Sequence, residues 1–202
     1  MPNIAVFTAG ANHNLHALLE AFQTGNLKDG EIVLVVSSAE AALKHARKAG
    51  VETLAVPADS PYGEELAQAI APHNLDLIVT LDAPHHFDTA FLKKYAHKVL
   101  AVQPSLDGHF PGANAVEQAF EAFQAQQIKW SGCNIHYVGP GGTVAGVMRQ
   151  LVVPIEPKEA LERFAARMRK GEHWLLLKAV KQVLYELRTR NKRTVGSSDR
   201  QS

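Results

Sequence analysis

The chain has 202 residues, 46% hydrophobic and 20% charged, with a formal net charge of +1; one soluble domain with a full core fits these totals. The charge gives no pull toward nucleic acid or an anionic membrane surface, and no apolar run approaches the ~18 residues of a membrane helix. A lone cysteine, Cys133, excludes an internal disulfide framework and suits a reducing compartment, and the start lacks a signal-peptide pattern, so a cytoplasmic protein is expected.

In chain order, Asn3–Thr8 reads as a first strand and Ala9–Asn14 as a polar turn. Leu15, Leu18, Leu19 and Phe22 then lie on one helical face, and Gly25 ends that helix. Ile32–Ser37 is a second strand, followed by a helix over Ala39–Ala49 that stops at Gly50. Val51–Val56 is a third strand, and Ser60-Pro61 reads as a capped helix start with proline at the first position. Leu75–Leu81 is a fourth strand, Asp82–Asp88 a polar loop and Thr89–Tyr95 a short helix.

The fifth strand, Val99–Gln103, stops at Pro104 and opens into a loop rich in small and polar residues that reaches Gly112. A helix over Ala115–Ala125 and a strand over Gly132–Val138 follow. Gly139–Gly142 forms a tight turn or loop, and Val147–Ile155 is a further strand. Pro157 opens a helical region to about Leu187, with a break expected near Gly171. The basic stretch 188–202 is expected to be a disordered tail outside a single 1–187 domain. Alternating strands and helices imply an α/β fold, a mostly parallel twisted sheet with helices on both faces. In such sheets ligands sit beyond the C-terminal strand ends, which draws attention to the loop after Gln103.

Four stretches in register resemble the glycinamide ribonucleotide (phosphoribosylglycinamide) formyltransferases. They are Gly10-Ala11-Asn12-His13-Asn14-Leu15, Ala101-Val102-Gln103-Pro104-Ser105-Leu106 with the following Phe110-Pro111-Gly112, Gly132 to Val138, and Glu172-His173. The resemblance implies a Rossmann-like fold of formyltransferase type. It also implies the family reaction, formyl transfer from 10-formyltetrahydrofolate to an amine in purine biosynthesis. It places substrate phosphate at Gly10, Ala11, Asn12, His13 and Asn14, where a helix N-terminus favours anions, and substrate ribose near Glu172. It places the folate cleft at His85, Val102 and Pro104, with no tightly bound cofactor and 10-formyltetrahydrofolate as a possible cosubstrate.

The family's reactive asparagine, histidine and aspartate are replaced, in this alignment, by Ala101, Gln103 and Thr143. Alanine offers no donor and glutamine does not titrate, whereas formyl transfer needs a donor for the tetrahedral oxygen and a proton shuttle. Asp107, His109 and His85 are the candidate substitutes. The histidines show no spacing typical of a metal site, and none is expected; His136 reads as a strand histidine satisfied by a neighbour.

Three functions follow as expectations. One is a catalytically degenerate formyltransferase relative that acts by binding a sugar phosphate or folate, or by regulation. Another is an active transferase using substitute residues, and the third is a non-catalytic structural or interaction subunit. No nucleic-acid or membrane partner is expected, and the chain is taken as a monomer or homodimer.

Overall fold

The computed structural model describes residues 1–10, 13–58, 60–81, 87–106, 108–110, 112 and 114–198, with side chains through residue 190. Seven strands form one sheet: β1 (Asn3–Thr8), β2 (Glu31–Ser37), β3 (Glu52–Ala55), β4 (Leu77–Thr80), β5 (Val99–Gln103), β6 (Trp130–Val138) and β7 (Val144–Pro154). Their order is β3-β2-β1-β4-β5-β6-β7. The first five are mutually parallel, while β6 runs antiparallel to both β5 and β7. The helices are α1 (His13–Gln23), α2 (Glu40–Lys48), α3 (Glu64–Ala69), α4 (Thr89–Lys94), α5 (Ala115–Gln124) and α6 (Leu161–Ser198).

Strand alternation splits the core into two main layers. Ile4, Val6, Val79, Leu100, Val102, Cys133 and Ile135 face α1 and α6, where Leu15, Leu18, Leu176 and Val180 pack on them. Ala5, Phe7, Ile78 and Val99 face the other side, where Tyr62, Phe87, Phe91 and Tyr95 form an aromatic cluster. Phe7 sits edge-on to Tyr62 at 5.1 Å between ring centroids, and Phe91 lies 4.9 Å from Tyr95. A smaller cluster of Ala119, Phe120, Val153, Phe164 and Met168 ties α5 to β7 and the start of α6.

Three elements depart from the sequence pattern. The Ser60-Pro61 signal does not start α3. Tyr62 instead bridges to Phe87, and the helix begins after Gly63. A side chain at 63 would meet the Asp88 carboxylate at 2.7 Å, and that carboxylate caps α4 by accepting from the Phe91 amide at 2.7 Å. Burial of an aromatic pair has overridden a local start signal.

The break expected at Gly171 is also absent, because α6 runs straight through it. A Cβ there would come within 2.8 Å of Leu151 and 3.9 Å of the Cys133 sulfur, so this glycine lets the helix approach β6 and β7 closely. Finally, the basic stretch expected to be disordered is helical as far as Ser198. Arg188, at the start of that stretch, pairs with Asp29.

Gly132 fixes the loop after β5 against β6. A Cβ at 132 would lie 2.1 Å from the Leu151 carbonyl oxygen and 2.6 Å from Leu106. The Leu106 side chain therefore packs onto bare backbone. Gly132→Ala is expected to cost at least the ~1–3 kcal/mol typical of overpacking, measured as a lowered urea midpoint. An unchanged midpoint would contradict this packing.

Candidate functional site

The antiparallel β5–β6 ladder sets the strand end. Ala101 pairs with His136, and Gln103 with Asn134. Directly paired residues present their side chains to the same face, so these four share one wall. On it, Gln103 Nε2 donates to Ser105 Oγ at 2.8 Å, and Asn134 Nδ2 reaches Gln103 Oε1 at 3.4 Å. The same Asn134 nitrogen donates to the Ser105 carbonyl oxygen at 2.9 Å, and Asn134 Oδ1 lies 2.7 Å from His136 Nδ1. Ser105, Asn134 and His136 are all buried, His136 to 6% exposure. The wall is thus an amide–hydroxyl–imidazole network beside the Ala101 methyl group.

Val102 points the other way, into the core under α1 and α6, so its side chain does not face that wall. Pro104 is half-buried at the strand end. His109 is exposed; its amide donates to the Leu106 carbonyl oxygen and its ring neighbours Phe110 at 6.0 Å. Asp107 and His85 lie outside the described residues.

Thr143 is not brought to this wall. The Gly139 amide donates to the Thr143 carbonyl oxygen at 2.7 Å, the Thr143 hydroxyl donates to the Pro140 carbonyl oxygen at 2.9 Å, and Val144 pairs with Val138. Gly141 and Gly142, at φ of 68° and 77°, supply the left-handed turn that closes this hairpin. Thr143 is therefore level with Gly139, three residues beyond His136, or ~10 Å further along β6 at ~3.3 Å per residue. Among the described residues of this hairpin there is no carboxylate.

The second part of the site lies where α1 meets α6. Gly10 is half-buried, with its amide 3.3 Å from Thr8 Oγ1, and the Thr8 hydroxyl donates to the Gly10 carbonyl oxygen at 2.6 Å. Ala11 and Asn12 lie outside the described residues. His13 is exposed at the start of α1, and its ring stands 5.6 Å from that of His173. Asn14, 3% exposed, donates to Glu172 Oε2 at 3.2 Å, and its own Oδ1 is buried with no hydrogen-bond partner among the described residues. Helix α1 thus delivers Asn14, and α6 delivers Glu172 and His173, to one corner.

Burial governs the electrostatics of that corner. Desolvation raises the Glu172 carboxyl, against the lowering effects of the Asn14 hydrogen bond and of Arg169. Desolvation also pushes the nearby Cys133 thiol up to about 12, with Glu172 adding to the rise. His173 is lowered, first by desolvation and then by His13, His16 and Arg169. With its nitrogen donating to Glu172, Asn14 has its oxygen left to accept; the pair is able to grip a hydroxyl-bearing ligand. Among the described residues no group of three or more His, Cys, Asp or Glu is placed to hold a metal ion.

Asn134 escaped sequence reasoning. The signal that finds it is the strand register, which puts it opposite Gln103.

A family model described as formyl transferase matches residues 2–180. The chain is 32% identical over 199 residues to the phosphoribosylglycinamide formyltransferase of Dictyostelium discoideum, covering 89% of this chain and 96% of that protein. It is 29% identical over 185 residues to the trifunctional purine biosynthetic protein adenosine-3 of Drosophila pseudoobscura pseudoobscura, with 88% of this chain matched to 13% of that one. Glycinamide ribonucleotide transformylase 1 from Geobacillus kaustophilus superposes with a TM-score of 0.81 at 26% identity, covering 91% of this chain and 99% of that one. The phosphoribosylglycinamide formyltransferase from Anaplasma phagocytophilum gives 0.76 at 27% identity, over 92% and 88%.

The raised Glu172 carboxyl carries a sign for stability. Its stabilising contribution is present below the unfolded-state value of ~4.3 and is lost as pH rises through the higher folded-state value. Glu172→Gln is therefore expected to gain stability relative to the parent from pH 4 to pH 8, read from urea midpoints. A variant that loses ground over that range would contradict a neutral-preferring Glu172.

Proposed function

The chain belongs to the formyl transferase family, and we propose that it is a phosphoribosylglycinamide formyltransferase-like protein of purine biosynthesis that binds the family's ligands without passing the formyl group on. The observation that carries this reading is the network at the end of β5. Ala101 has no donor, and the Gln103 carboxamide is held by Ser105 and Asn134. In the family reaction an amine attacks the formyl carbon, the carbonyl oxygen becomes negative, and protons pass from the amine toward the folate nitrogen. Losing one donor to that oxygen costs ~10²–10³ in rate, and losing the proton carrier ~10²–10⁴. The two losses need not multiply, since such residues act as a unit, but either alone is severe.

The corner of Asn14 and Glu172 supports the binding half of the reading. Asn14 Oδ1 is buried without a partner among the described residues and Glu172 is 8% exposed, an arrangement suited to a sugar hydroxyl. The phosphate would lie at the start of α1, near His13, and 10-formyltetrahydrofolate would be a cosubstrate that binds without turnover. Cytoplasmic residence accords with this role; no described helix is long and apolar enough to cross a membrane.

One observation favours a second reading, transfer by a substitute group. His136 stands across the ladder from Ala101 with Nδ1 2.7 Å from Asn134 Oδ1, so a titratable ring borders the replaced position. If that ring shuttles protons, the parent turns over and His136→Asn abolishes it.

The test restores the strand end. Ala101→Asn with Gln103→His returns a donor and a proton carrier that titrates near neutral pH, and Asn134→Thr frees the new histidine from the amide network. Titration calorimetry should show that parent and variant both bind glycinamide ribonucleotide. Labelled-formyl transfer in a single turnover should be absent in the parent and measurable in the variant. Thr143→Asp alone should restore nothing, because residue 143 is held in the hairpin away from Ala101. Parent turnover abolished by His136→Asn would establish the second reading, and failure of the parent to bind any substrate would remove the first.

A further inference from the structure

The long helix α6 buries one face on β6, β7 and α1 and leaves the opposite face open. That face carries Lys170, Trp174, Lys178, Lys181, Tyr185 and Arg188, all exposed. At 100° per residue the six positions fall within ~80° of arc, and they extend ~27 Å along the helix axis. Trp174 is 52% exposed and Tyr185 67%, and three turns separate them, so both project along the same line. Lys178 Nζ lies 5.8 Å from the Trp174 ring centroid, a cation–π contact that holds the indole beside a positive charge. Among the described residues no carboxylate pairs with Lys170, Lys178 or Lys181, whereas Arg188 is paired with Asp29.

Trp and Tyr are among the residue types that dominate binding energy in protein interfaces, and the lysines around them give the stripe one sign of charge, which selects the partner. We propose that this stripe is a docking surface for an acidic amphipathic helix of another protein, its carboxylates meeting the three unpaired lysines and its apolar strip covering Trp174 and Tyr185. Charge complementarity selects that occupant. A second copy of α6 would set lysine against lysine. A nucleic-acid strand is usually held in a cationic groove, and the stripe is the convex side of one helix. A membrane surface is met by helices with a broad apolar face, and this stripe has two aromatics and no aliphatic residue. The proposal is independent of the formyl-transfer reading.

The test uses an 18-residue fluorescent peptide with glutamates flanking a leucine strip at helical spacing, and a peptide of equal composition with the leucines scattered. Anisotropy with the full chain should show saturable binding of the first and at least tenfold weaker binding of the second. Trp174→Ala, Tyr185→Ala and the pair Lys178→Glu/Lys181→Glu should each weaken binding about tenfold, with circular dichroism unchanged. All the substituted side chains are exposed, so the fold should survive. No binding by the parent, equal binding of both peptides, or variants that bind like the parent would overturn the proposal. So would displacement of the peptide by oligo(dT) or phosphatidylserine vesicles that bind more tightly.

Discussion

Pairing of β5 with β6 is the constraint on which the rest of the site depends. Because β6 is antiparallel, the residues facing Ala101 and Gln103 are His136 and Asn134, and they cannot be exchanged without slipping the whole strand. A one-residue slip would turn Ile135 and Cys133, both fully buried, toward the cleft. It would also carry Gly132 away from the Leu151 carbonyl oxygen, a contact that leaves no room for a side chain. The register is therefore locked from two sides, by apolar burial under α6 and by a backbone approach only glycine permits. Given that lock, the polar groups at the strand end satisfy one another, as buried polar groups must.

The corner between α1 and α6 follows from the same packing. Close contact of α6 with the sheet at Gly171 places Glu172 in a dry environment. A carboxyl there is costly when ionised, which explains why its proton is held tightly and why the Cys133 thiol behind it is inert. The hydrogen bond from Asn14 compensates Glu172 only in part and leaves the asparagine's own oxygen without a partner among the described residues. Under the proposed function, a ligand hydroxyl would relieve that deficit. The two halves of the site thus differ in character. The strand end is closed on itself, and the helix corner is short of a partner.

Much of this was legible in the sequence. Strands β1 and β5 have the bounds their apolar runs predict, because a strand buried on both faces leaves a continuous hydrophobic signature. Helices α4 and α5 also start where the sequence places them, at Thr89 and Ala115, but α3 does not. Ser60-Pro61 has the local chemistry of a cap, yet the Tyr62–Phe87 bridge took that segment into the aromatic cluster instead. Gly171 looked like a breaker because its purpose, room for Leu151, exists only in three dimensions. Thr143 stands where the family resemblance places an aspartate, yet it does not reach the wall. Counting from His136 gives its position in the chain, but the glycine pair at 141 and 142 turns that segment into a hairpin. Asn134 was invisible for the opposite reason, since its importance comes from a cross-strand neighbour thirty-one residues away in the chain.

The central claim is a cleft that holds its ligands and leaves the formyl group where it was. Carbon-13 NMR tests it directly, with 10-formyltetrahydrofolate labelled at the formyl carbon, glycinamide ribonucleotide and a stoichiometric amount of the full chain. If the cleft binds without transfer, ligand resonances broaden or shift with the protein while the labelled carbon keeps its folate environment throughout. A labelled resonance that moves to the N-formyl glycinamide position faster with the protein than without it would show that the cleft transfers the group.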